Sequence, residues 1–519
     1  MSSGLAGAAI LTKATVPEEG SSDPVAGKGP LIRPERFGFF DKLLFAVFVL
    51  AVPPLIASNG GIFGDGDVSW HIAAGRWIME HDRIPTTDPF SHSMPGHSWV
   101  AHEWLPEIAY AFAFDQASFA GVAAVVALAL MSLAAITFAW LRPHVGPIAL
   151  LAAFASLYLV LQPFYLARPH VIAWVFLAGW TASLLAARSE DRLPSWWLLP
   201  LMLVWANVHA SFLIGFVVAG SIGLDDCIEH RWKPERVMRW VAFGVASLLV
   251  TLINPSGIHG LIYPFSVSGM SSLPAITEWG ASTPQFSPYF YVVLLLTMGI
   301  ILLKRPKFSI GELLLLLLTL GMAFMHLRHQ AMFIIIAALI VTPKLSDRAA
   351  EAGQPLFHSA KDRRVWLGGA ALLVAAILGL RAIVPLTPKE TYSNPRGLLA
   401  HVPAELRAQP VLNEYSMGGP LILAGIKPFI DGRSDMYGDA FTQNYLKVVS
   451  GDRKAFAEAV RRYGIRWTML QKGDGLVKVL DASPEWQRLY SDRVGVIHVQ
   501  RKTPRAPLPG KQKESQDGG

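Results

Sequence analysis

Long apolar runs, separated by short basic connections, dominate this sequence and limit what it can fold into. The first spans about Phe39 to Ala57, close to the roughly 20 residues that an α-helix needs to cross a bilayer. Several others, such as Trp196 to Val208, are nearer to about 14 residues, which indicates broken or re-entrant helices. Hydrophobic residues make up 52% of the 519 residues and charged residues 16%. We therefore expect a mainly α-helical, polytopic membrane protein with about 11 transmembrane helices.

The basic residues indicate how the chain is oriented. If the N-terminus is inside, alternate connections fall in the cytoplasm, and these hold most of the Lys and Arg between the helices: Arg188 to Arg192, His230 to Arg239, Lys304 to Lys307 and Lys344 to Arg364. Topology thus explains the net charge of +7, so we expect membrane lipid and no nucleic acid as a partner. The predicted location is the cell (inner) membrane, with many passes. The single Cys227 excludes an intramolecular disulfide.

Composition divides the chain into four parts. Residues 1–37 and 502–519 are polar and lack periodicity, so we expect disordered tails, the first of them cytoplasmic. Residues 38–385 form the predicted transmembrane domain, which includes an extracytoplasmic loop at 58–118. Residues 386–501 have the composition of a small α/β domain, extracytoplasmic by the helix count. Its predicted elements are strands at PVLNEY, LILAGI, PFIDGR and IRWTML and an amphipathic helix from Arg453 to Tyr463.

The extracytoplasmic loop is dense in Asp, His and Trp. Asp65 and Asp67 follow directly on the first apolar run, and a helix that begins near Val68 would place Asp67 and His71 on one face. An Asp at this point can cap the helix, and a cap is compatible with a chemical role, for which Asp67 is the stronger candidate. The segment Trp104 to Gln116 is expected to lie in the membrane interface and not to cross. Five side chains at helical spacing are expected to pack the loop onto the membrane domain: Trp70, Ala74, Trp77, Ile78 and His81.

Four histidines and one glutamate of this loop could ligate a divalent metal: His71, His92, His97, His102 and Glu103. Neutral imidazole and carboxylate suit zinc or manganese. Their spacing matches no tight signature such as HExxH. The sequence therefore assigns no certain cofactor and leaves a divalent metal possible.

Cationic side chains occur in the connections on the same face as the loop. Arg168 and His170 flank a proline at a helix boundary, where proline is expected for structural reasons. An arginine there also fits a phosphate, because its planar fork donates two hydrogen bonds to one anion. Arg328 and His329 could act in the same way or could anchor a helix end among lipid headgroups.

Two further polar groups have a structural explanation beside a functional one. Asn207 and His209 lie between two unusually short apolar runs, where they either serve a site or satisfy backbone groups freed by the break. In IDGRSDMYG, Asp431, Arg433 and Asp435 follow a predicted strand, and stabilisation of the fold is the favoured explanation. Neither GxGxxG nor a P-loop occurs there, so nucleotide binding is not expected.

Several motifs together resemble those of bacterial multi-pass proteins of the GT-C superfamily of membrane glycosyltransferases: GDVSWHIAAGRWI, IPTTDPFS, WVAHEWL, ARPH, WANVHASFL, INPSG and GGPLILAGIKPFIDGRSDMYG. The resemblance covers most of the chain from Phe39 to about Arg501. It implies an inverting glycosyltransferase that moves a sugar from a polyprenyl-phosphate carrier to an envelope glycan, lipid or protein outside the cytoplasmic membrane. It also implies that the acidic residue of the first loop acts as general base or orients the acceptor, a role that by motif position falls on Asp67 with Asp65 as neighbour. The commoner pair in the family is Asp-Glu, and the Asp-Gly-Asp of this sequence leaves open which carboxylate serves.

The residues are compatible with that chemistry. A sugar hydroxyl that attacks an anomeric carbon needs a carboxylate to accept its proton, and a leaving lipid phosphate needs cations. The catalytic candidates are therefore Asp67 and Asp65, and the candidates for binding substrate and phosphate are His71, His102, Glu103, Arg168, His170, His209, Arg328 and His329. Two alternatives stay open. A transporter or flippase for a lipid or glycan should show internal repeats, and a non-catalytic envelope assembly factor would not need the two carboxylates.

Overall fold

The computed structural model describes residues 41–272, 277–346 and 386–501, together with single residues and pairs between 359 and 376. The predicted tails at 1–37 and 502–519 lie outside these residues, and the last predicted apolar run, Leu367 to Ile383, lies largely outside them. The described residues form a helical bundle, built from 41–345, and a C-terminal domain with a small sheet, built from 386–501.

The bundle is helical because its segments are too apolar to leave backbone groups unpaired in lipid. It begins with a π-helical turn at Ala46–Ala51. Its α-helices are, in order, α1 Val52–Ala57, α2 Asp67–His81, α3 Trp104–Leu141, α4 Pro147–Leu161, α5 Pro169–Ser189, α6 Leu198–Ala206, α7 Leu213–Glu229, α8 Pro234–Thr251, α9 Ile258–Ser268, α10 Pro288–Lys304, α11 Ile310–Met325 and α12 His329–Leu345. Short 3₁₀ turns lie in the connections between these helices, at Gly60–Phe63, Gln162–Phe164, Ala210–Phe212 and Thr277–Trp279.

Four helical segments of the described residues are long and apolar enough to cross a membrane: Trp104–Leu141, Pro147–Phe164, Pro169–Ser189 and Ala210–Glu229. Three apolar helices, α10, α11 and α12, are shorter, with 16 or 17 residues. The chain is therefore a mainly helical membrane protein. The count of about 11 crossings is not confirmed. The run Trp196 to Val208, for example, yields α6, whose 9 residues extend only about 14 Å.

The long helix α3 has two arms that meet at a sharp bend. Ser118 has a φ of 51°, and a β-carbon on Gly121 would lie 1.8 Å from a carbonyl oxygen of the first arm. The first arm, Trp104 to Gln116, packs against α2. At that crossing Gly75 has no room for a side chain, because a β-carbon would lie 1.9 Å from the carbonyl oxygen of Glu107. The first arm therefore supports α2, and it is not collinear with the second arm.

The two ends of α5 mark the two ends of the bundle. Arg168 precedes α5 and Arg188 lies in its last turn, so they are separated by about 30 Å along the helix. We call the end with Arg168 the loop end and the end with Arg188 the far end. At the far end Arg188 pairs with Asp225 at 3.1 Å and with Glu312 at 3.3 Å. The basic connections at 188–192 and 230–239, predicted to be cytoplasmic, belong to this end.

The C-terminal domain has a four-stranded sheet in the order β1-β2-β4-β3. Strands β1 and β2 are parallel, and the other neighbours are antiparallel. The strands are β1 Val411–Asn413, β2 Trp467–Gln471, β3 Trp486–Ser491 and β4 Gly495–Gln500, and the helices are α13 Arg396–Ala400, α14 Ala404–Arg407, α15 Gly418–Leu423, α16 Ser434–Val449, α17 Arg453–Tyr463 and α18 Gly475–Asp481. The predicted strands at PVLNEY and IRWTML and the predicted helix α17 are thus confirmed.

Two of the predicted strands are wrong. Most of LILAGI belongs to α15 and to the turn that follows it. The PFIDGR segment joins no ladder, because the side chain of Asn413 takes the place of a partner strand. Its Oδ1 accepts the N–H of Phe429 at 2.7 Å, and its Nδ2 donates to the carbonyl of Ile430 at 2.8 Å. The two glycines that begin α15 let it pack closely, since a β-carbon on Gly419 would lie 2.2 Å from the carbonyl oxygen of Gly66.

Buried contacts fix residues 58–103 of the loop to the C-terminal domain. The Arg433 side chain is 1% exposed and pairs with Asp88 of the loop at 2.8 Å and with Asp431 at 2.7 Å. Its guanidinium lies 4.8 Å from the ring centre of Trp99. A buried cation is stable only when it is paired in this way. Asp431 and Arg433 thus have the structural role that was favoured from the sequence, and they hold the domain over the loop end.

Candidate active site

A cavity of about 1110 Å³ lies between the loop end of the bundle and the C-terminal domain. Its wall is ionic beside the loop and apolar within the bundle, where it is lined by Trp174 and Leu177 of α5, Ile214 and Val217 of α7, and Met332 of α12. A single space therefore joins a cluster of charged groups to an apolar pocket. This combination suits a ligand with a polar head and an apolar tail.

All but one of the predicted site residues line this cavity: Asp65, Asp67, His102, Glu103, Arg168, His170, His209, Arg328 and His329. They come from five separate parts of the sequence. His71 is the exception, because its side chain is completely buried behind the cavity wall. The structure thus gathers the residues that the sequence placed on one face of the membrane.

Arg168 lies among three carboxylates. Its Nη1 is 2.9 Å from Asp65 Oδ2 and 3.0 Å from Glu278 Oε2, and its Nη2 is 3.1 Å from Asp67 Oδ2. Arg328 adds a second cation, with Nη1 3.3 Å from Glu278 Oε1. These side chains are only partly exposed, so the ionic groups interact more strongly than they would in water.

The local sequence explains where Asp67 and Arg168 point. Asp67 is the first residue of α2, and its backbone N–H donates to Asp65 Oδ1 at 3.0 Å. Asp65 therefore satisfies a free N–H at the start of α2, and the carboxylate of Asp67 is left to face Arg168. Arg168 has an extended backbone, with φ −129° and ψ 157°, because the proline that follows it disfavours the helical conformation. Pro169 then begins α5, a position that suits proline.

The C-terminal domain closes directly over Asp67. A β-carbon on Gly432 would lie 1.8 Å from Asp67 Oδ1, and a β-carbon on Gly66 would lie 2.1 Å from the carbonyl oxygen of Ser416. These contacts are possible only because both positions are glycine. The GDGD segment of the loop and the DGR segment of the C-terminal domain are thus fitted to each other at the candidate site.

Two carboxylates of the Arg168 cluster, those of Asp67 and Glu278, differ in pKa. Burial raises the pKa of Asp67 to about 8, and the charge of Asp65 raises it further than Arg168 lowers it. Burial also opposes ionisation of Glu278, but Arg168 and Arg328 outweigh it and lower the pKa of Glu278 to about 2. Glu278 is therefore ionised at neutral pH, whereas Asp67 can take up and release a proton near neutral pH. A pair of carboxylates with such different pKa values is typical of acid–base sites.

Glu278 is the residue of this cluster to which the sequence assigned no role. It lies in the 3₁₀ turn Thr277–Trp279, in the long connection between α9 and α10. Arg328 fixes this turn, because its N–H donates to the Glu278 carbonyl at 3.2 Å and its guanidinium lies 4.6 Å from the ring centre of Trp279. No local pattern connects Glu278 with Arg168, 110 residues earlier.

Three histidines surround Glu103 at the side of the cavity. Their Nε2 atoms lie 3.6 Å (His209), 3.7 Å (His102) and 3.8 Å (His71) from its carboxylate. Burial lowers the pKa of all three histidines, so they are neutral at pH 7, and burial raises the pKa of Glu103 to about 7. His209 Nδ1 accepts a backbone N–H at 3.0 Å, which places its ring hydrogen on Nε2, toward Glu103. The cluster can therefore offer hydrogen bonds without a net positive charge.

Two of the predicted phosphate-binding histidines lie at helix starts. His170 Nε2 donates to the carbonyl of Phe164 at 3.0 Å, which leaves only its Nδ1 for a ligand. His329 is the first residue of α12, and its ring lies edge-on to Trp279 with the ring centres 6.3 Å apart. Both line the cavity near Arg168 and Arg328.

Of the residues proposed as metal ligands, His71, His102 and Glu103 lie together, whereas His92 and His97 lie elsewhere. His92 Nε2 donates to the carbonyl of Val411 at 2.8 Å, in the contact with the C-terminal domain, and His97 is exposed. Within the described ranges, the group compact enough to hold an ion is at the far end: Asp191, Asp226 and His230. Arg236 already pairs with both carboxylates of that group, at 2.6 Å each.

Comparison with known proteins gives structural similarity only. No family model matches the chain, and no curated protein matches it either. Two solved structures of the Archaeoglobus fulgidus oligosaccharyltransferase, an enzyme of the GT-C superfamily, are similar at 10% identity. The match to the apo form covers 84% of this chain and 69% of the oligosaccharyltransferase chain, with a TM-score of 0.47. The match to the form tethered to an acceptor peptide with the NVT sequon covers 84% of this chain and 68% of the other, with a TM-score of 0.43. At these scores the similarity carries no argument about fold or function.

Proposed function

We propose that this protein is a membrane glycosyltransferase that moves a sugar from a polyprenyl-phosphate carrier to an acceptor at the loop end of the bundle. One observation carries the proposal: a single cavity joins Asp67 and Arg168 to an apolar pocket inside the bundle. The pocket suits a polyprenyl tail, Arg168 suits the phosphate, and the Asp67 carboxylate suits an attacking hydroxyl. The sequence motifs that resemble the GT-C superfamily support the same function.

In the proposed reaction a hydroxyl oxygen of the acceptor attacks the anomeric carbon of the sugar. Asp67 accepts the hydroxyl proton as the new carbon–oxygen bond forms. The bond between the anomeric carbon and the phosphate oxygen breaks, and its electron pair stays on the polyprenyl phosphate. Arg168 stabilises that charge, since its five N–H donors can serve an anion beside the carboxylates they already contact. A single displacement of this kind inverts the anomeric centre.

The membrane orientation, the acceptor class and the substrate-binding residues are part of the same proposal. The loop end is proposed to face the extracytoplasmic side of the inner membrane, with the N-terminus in the cytoplasm and about 11 crossings. The acceptor is proposed to be an envelope glycan, lipid or protein. His102, Glu103, His170, His209, Arg328 and His329 are proposed to bind the substrates, and His71 to support them from behind Glu103.

A divalent metal at this site also stays a proposal. The carboxylate oxygens of Asp65, Asp67 and Glu278 are ligands that Mg²⁺ or Mn²⁺ prefers. The fit is incomplete, because the guanidinium of Arg168 occupies the space between them, 2.9 to 3.1 Å from all three. No step of the proposed reaction depends on a metal.

The proposed function is tested by incubating the purified full-length protein, in liposomes, with a panel of polyprenyl-phosphate sugars and measuring donor consumption. We expect at least one donor to be consumed with release of polyprenyl phosphate. Movement of intact donor across the bilayer without consumption would favour a transporter or flippase. An inert protein in every assay would favour a non-catalytic assembly factor.

The pH dependence follows from the raised pKa of Asp67. A base must be deprotonated, so kcat/KM is expected to be low below a pH of about 8 and to rise through that value. Replacing Asp65 with asparagine removes the negative charge that raises the pKa of Asp67 most, and so lowers that pKa. The rise should then move to lower pH. A pH–rate profile of Asp65→Asn that is unshifted, or shifted to higher pH, would contradict this assignment.

Replacing Gly432 with alanine tests the contact between the C-terminal domain and Asp67. The new β-carbon would lie 1.8 Å from Asp67 Oδ1, so the domain or the carboxylate must move. We expect the transfer rate to fall by at least about 10-fold, because displacements of about 1 Å in a catalytic group have effects of this size. In the control Gly473→Ala, the β-carbon meets nothing within 4 Å, and the rate should be unchanged. Equal rates in the two variants would show that this contact is not needed.

A further inference from the structure

The C-terminal domain contributes its own wall to the cavity, apart from the Arg168 cluster. One face of α16 lines it with residues at helical spacing: Thr442, Tyr445, Leu446 and Val449. Glu414 and Asp474 line it as well. They follow β1 and β2, which are parallel neighbours, so the ends of these strands bring the two carboxylates to the same edge of the sheet. The proposed transfer reaction uses none of these side chains.

The two carboxylates are anchored but not neutralised. Glu414 Oε2 accepts the N–H of Ser416 and Asp474 Oδ2 accepts the N–H of Gln471, both at 2.9 Å. Within residues 386–501 the salt bridges involve other acidic residues and neither of these two. Burial, and then the charge of Asp474, raises the pKa of Glu414 to about 7, and burial raises that of Asp474 to about 6. A ligand that brings a positive charge would relieve this repulsion.

A buried hydroxyl on the same wall also lacks a partner. Thr442 is 4% exposed, and its Oγ1 has no hydrogen-bond partner among the described residues. Buried polar atoms are nearly always hydrogen-bonded, so this hydroxyl is available to pair with a ligand atom in the cavity that Thr442 lines. Tyr445, one turn along α16, and Tyr415 add aromatic rings to the same wall, and aromatic faces attract cations.

We propose that this wall binds an ammonium group of the acceptor, with Glu414 and Asp474 as its counter-ions and Thr442 as a hydrogen-bond partner of the adjoining part of the acceptor. The inference rests on the proposed function only in calling this ligand the acceptor. It predicts an amino sugar, or another amine with neighbouring hydroxyl groups, in preference to its neutral N-acetylated form. Asp67, on the loop side of the same cavity, would then accept the proton of a hydroxyl of the ligand held here.

The test measures binding and needs no transfer. Saturation-transfer NMR on the purified full-length protein compares glucosamine, which is cationic near neutral pH, with N-acetylglucosamine, which is neutral. Glu414→Gln and Asp474→Asn remove one charge each and keep an oxygen that can accept the anchoring N–H. The matched control is Glu458→Gln, because Glu458 is exposed on α17 outside the cavity.

We expect glucosamine to bind at least about 10-fold more tightly than N-acetylglucosamine and to lose at least about 10-fold in affinity in either carboxylate variant, as the loss of a charged hydrogen bond implies. Glu458→Gln should bind like the unmodified protein. Equal binding of the two sugars, no binding of glucosamine, or unchanged binding in both carboxylate variants would overturn the proposal. If one variant does not fold, the other variant and the comparison of the two sugars decide. Binding without transfer would count against the proposed function and not against this site.

Discussion

Replacing Asp67 with asparagine is expected to lower the rate of sugar transfer by about 10²- to 10⁴-fold, the range that a general base contributes. The amide has almost the same shape, so it can keep the close contact with Gly432, but it cannot accept the hydroxyl proton. The measurement is the initial rate of polyprenyl phosphate release with the donor that the unmodified protein consumes.

Two controls make the Asp67 result interpretable. Size-exclusion chromatography and thermal unfolding show whether the variant is inserted and folded. Asp115→Asn removes a carboxylate whose exposed ion pair with Arg76 joins α2 to the first arm of α3, outside the cavity, and should leave the rate unchanged. A fully active Asp67→Asn protein would rule out Asp67 as the base.

Replacing Arg168 with alanine is expected to lower the rate by about 10²- to 10³-fold, as removal of one group that stabilises transition-state charge does elsewhere. The variant loses the cation proposed for the leaving phosphate. It also leaves the carboxylates of Asp65, Asp67 and Glu278 without their shared partner, so the pKa of Asp67 rises further. The loss should therefore be larger at pH 7 than at pH 9.

Arg168→Lys separates charge from geometry. Lysine keeps the positive charge but not the planar fork that contacts several oxygens at once, so its rate should lie between those of the alanine variant and the unmodified protein. Arg76→Ala, which removes an arginine from an exposed ion pair of the same loop, is the matched control. An alanine variant at Arg168 with a normal rate would show that this guanidinium only holds carboxylates together.

The sequence could predict the parts of the site that depend on local chemistry. Asp67 at the start of a helix and Arg168 before a proline are local patterns, and both residues line the cavity. Glu278 could not be found in this way, since its contact with Arg168 depends on how distant helices pack. The same holds for Gly432, whose missing side chain matters only because the C-terminal domain lies against Asp67.

The fold, like the site, could be predicted from the sequence only where the pattern is local. The amphipathic pattern of α17 predicted that helix correctly, and Asp452 caps it by accepting N–H groups at 2.9 and 3.0 Å. The short apolar run LILAGI has no period that separates helix from strand, so its assignment depended on context. The helix that it forms, α15, packs closely on the loop at Gly419, a contact that the sequence does not show. The number of crossings also depends on context, because short apolar runs such as that of α6 can be buried without spanning.

The proposed single displacement is tested most directly by the anomeric configuration of the transferred sugar, determined by NMR on the product made by the unmodified protein. We expect complete inversion, with one polyprenyl phosphate released for each sugar transferred, because Asp67 activates the acceptor hydroxyl for a single displacement while Arg168 holds the leaving phosphate. Retention of configuration would require a covalent sugar–enzyme intermediate and would contradict the single displacement.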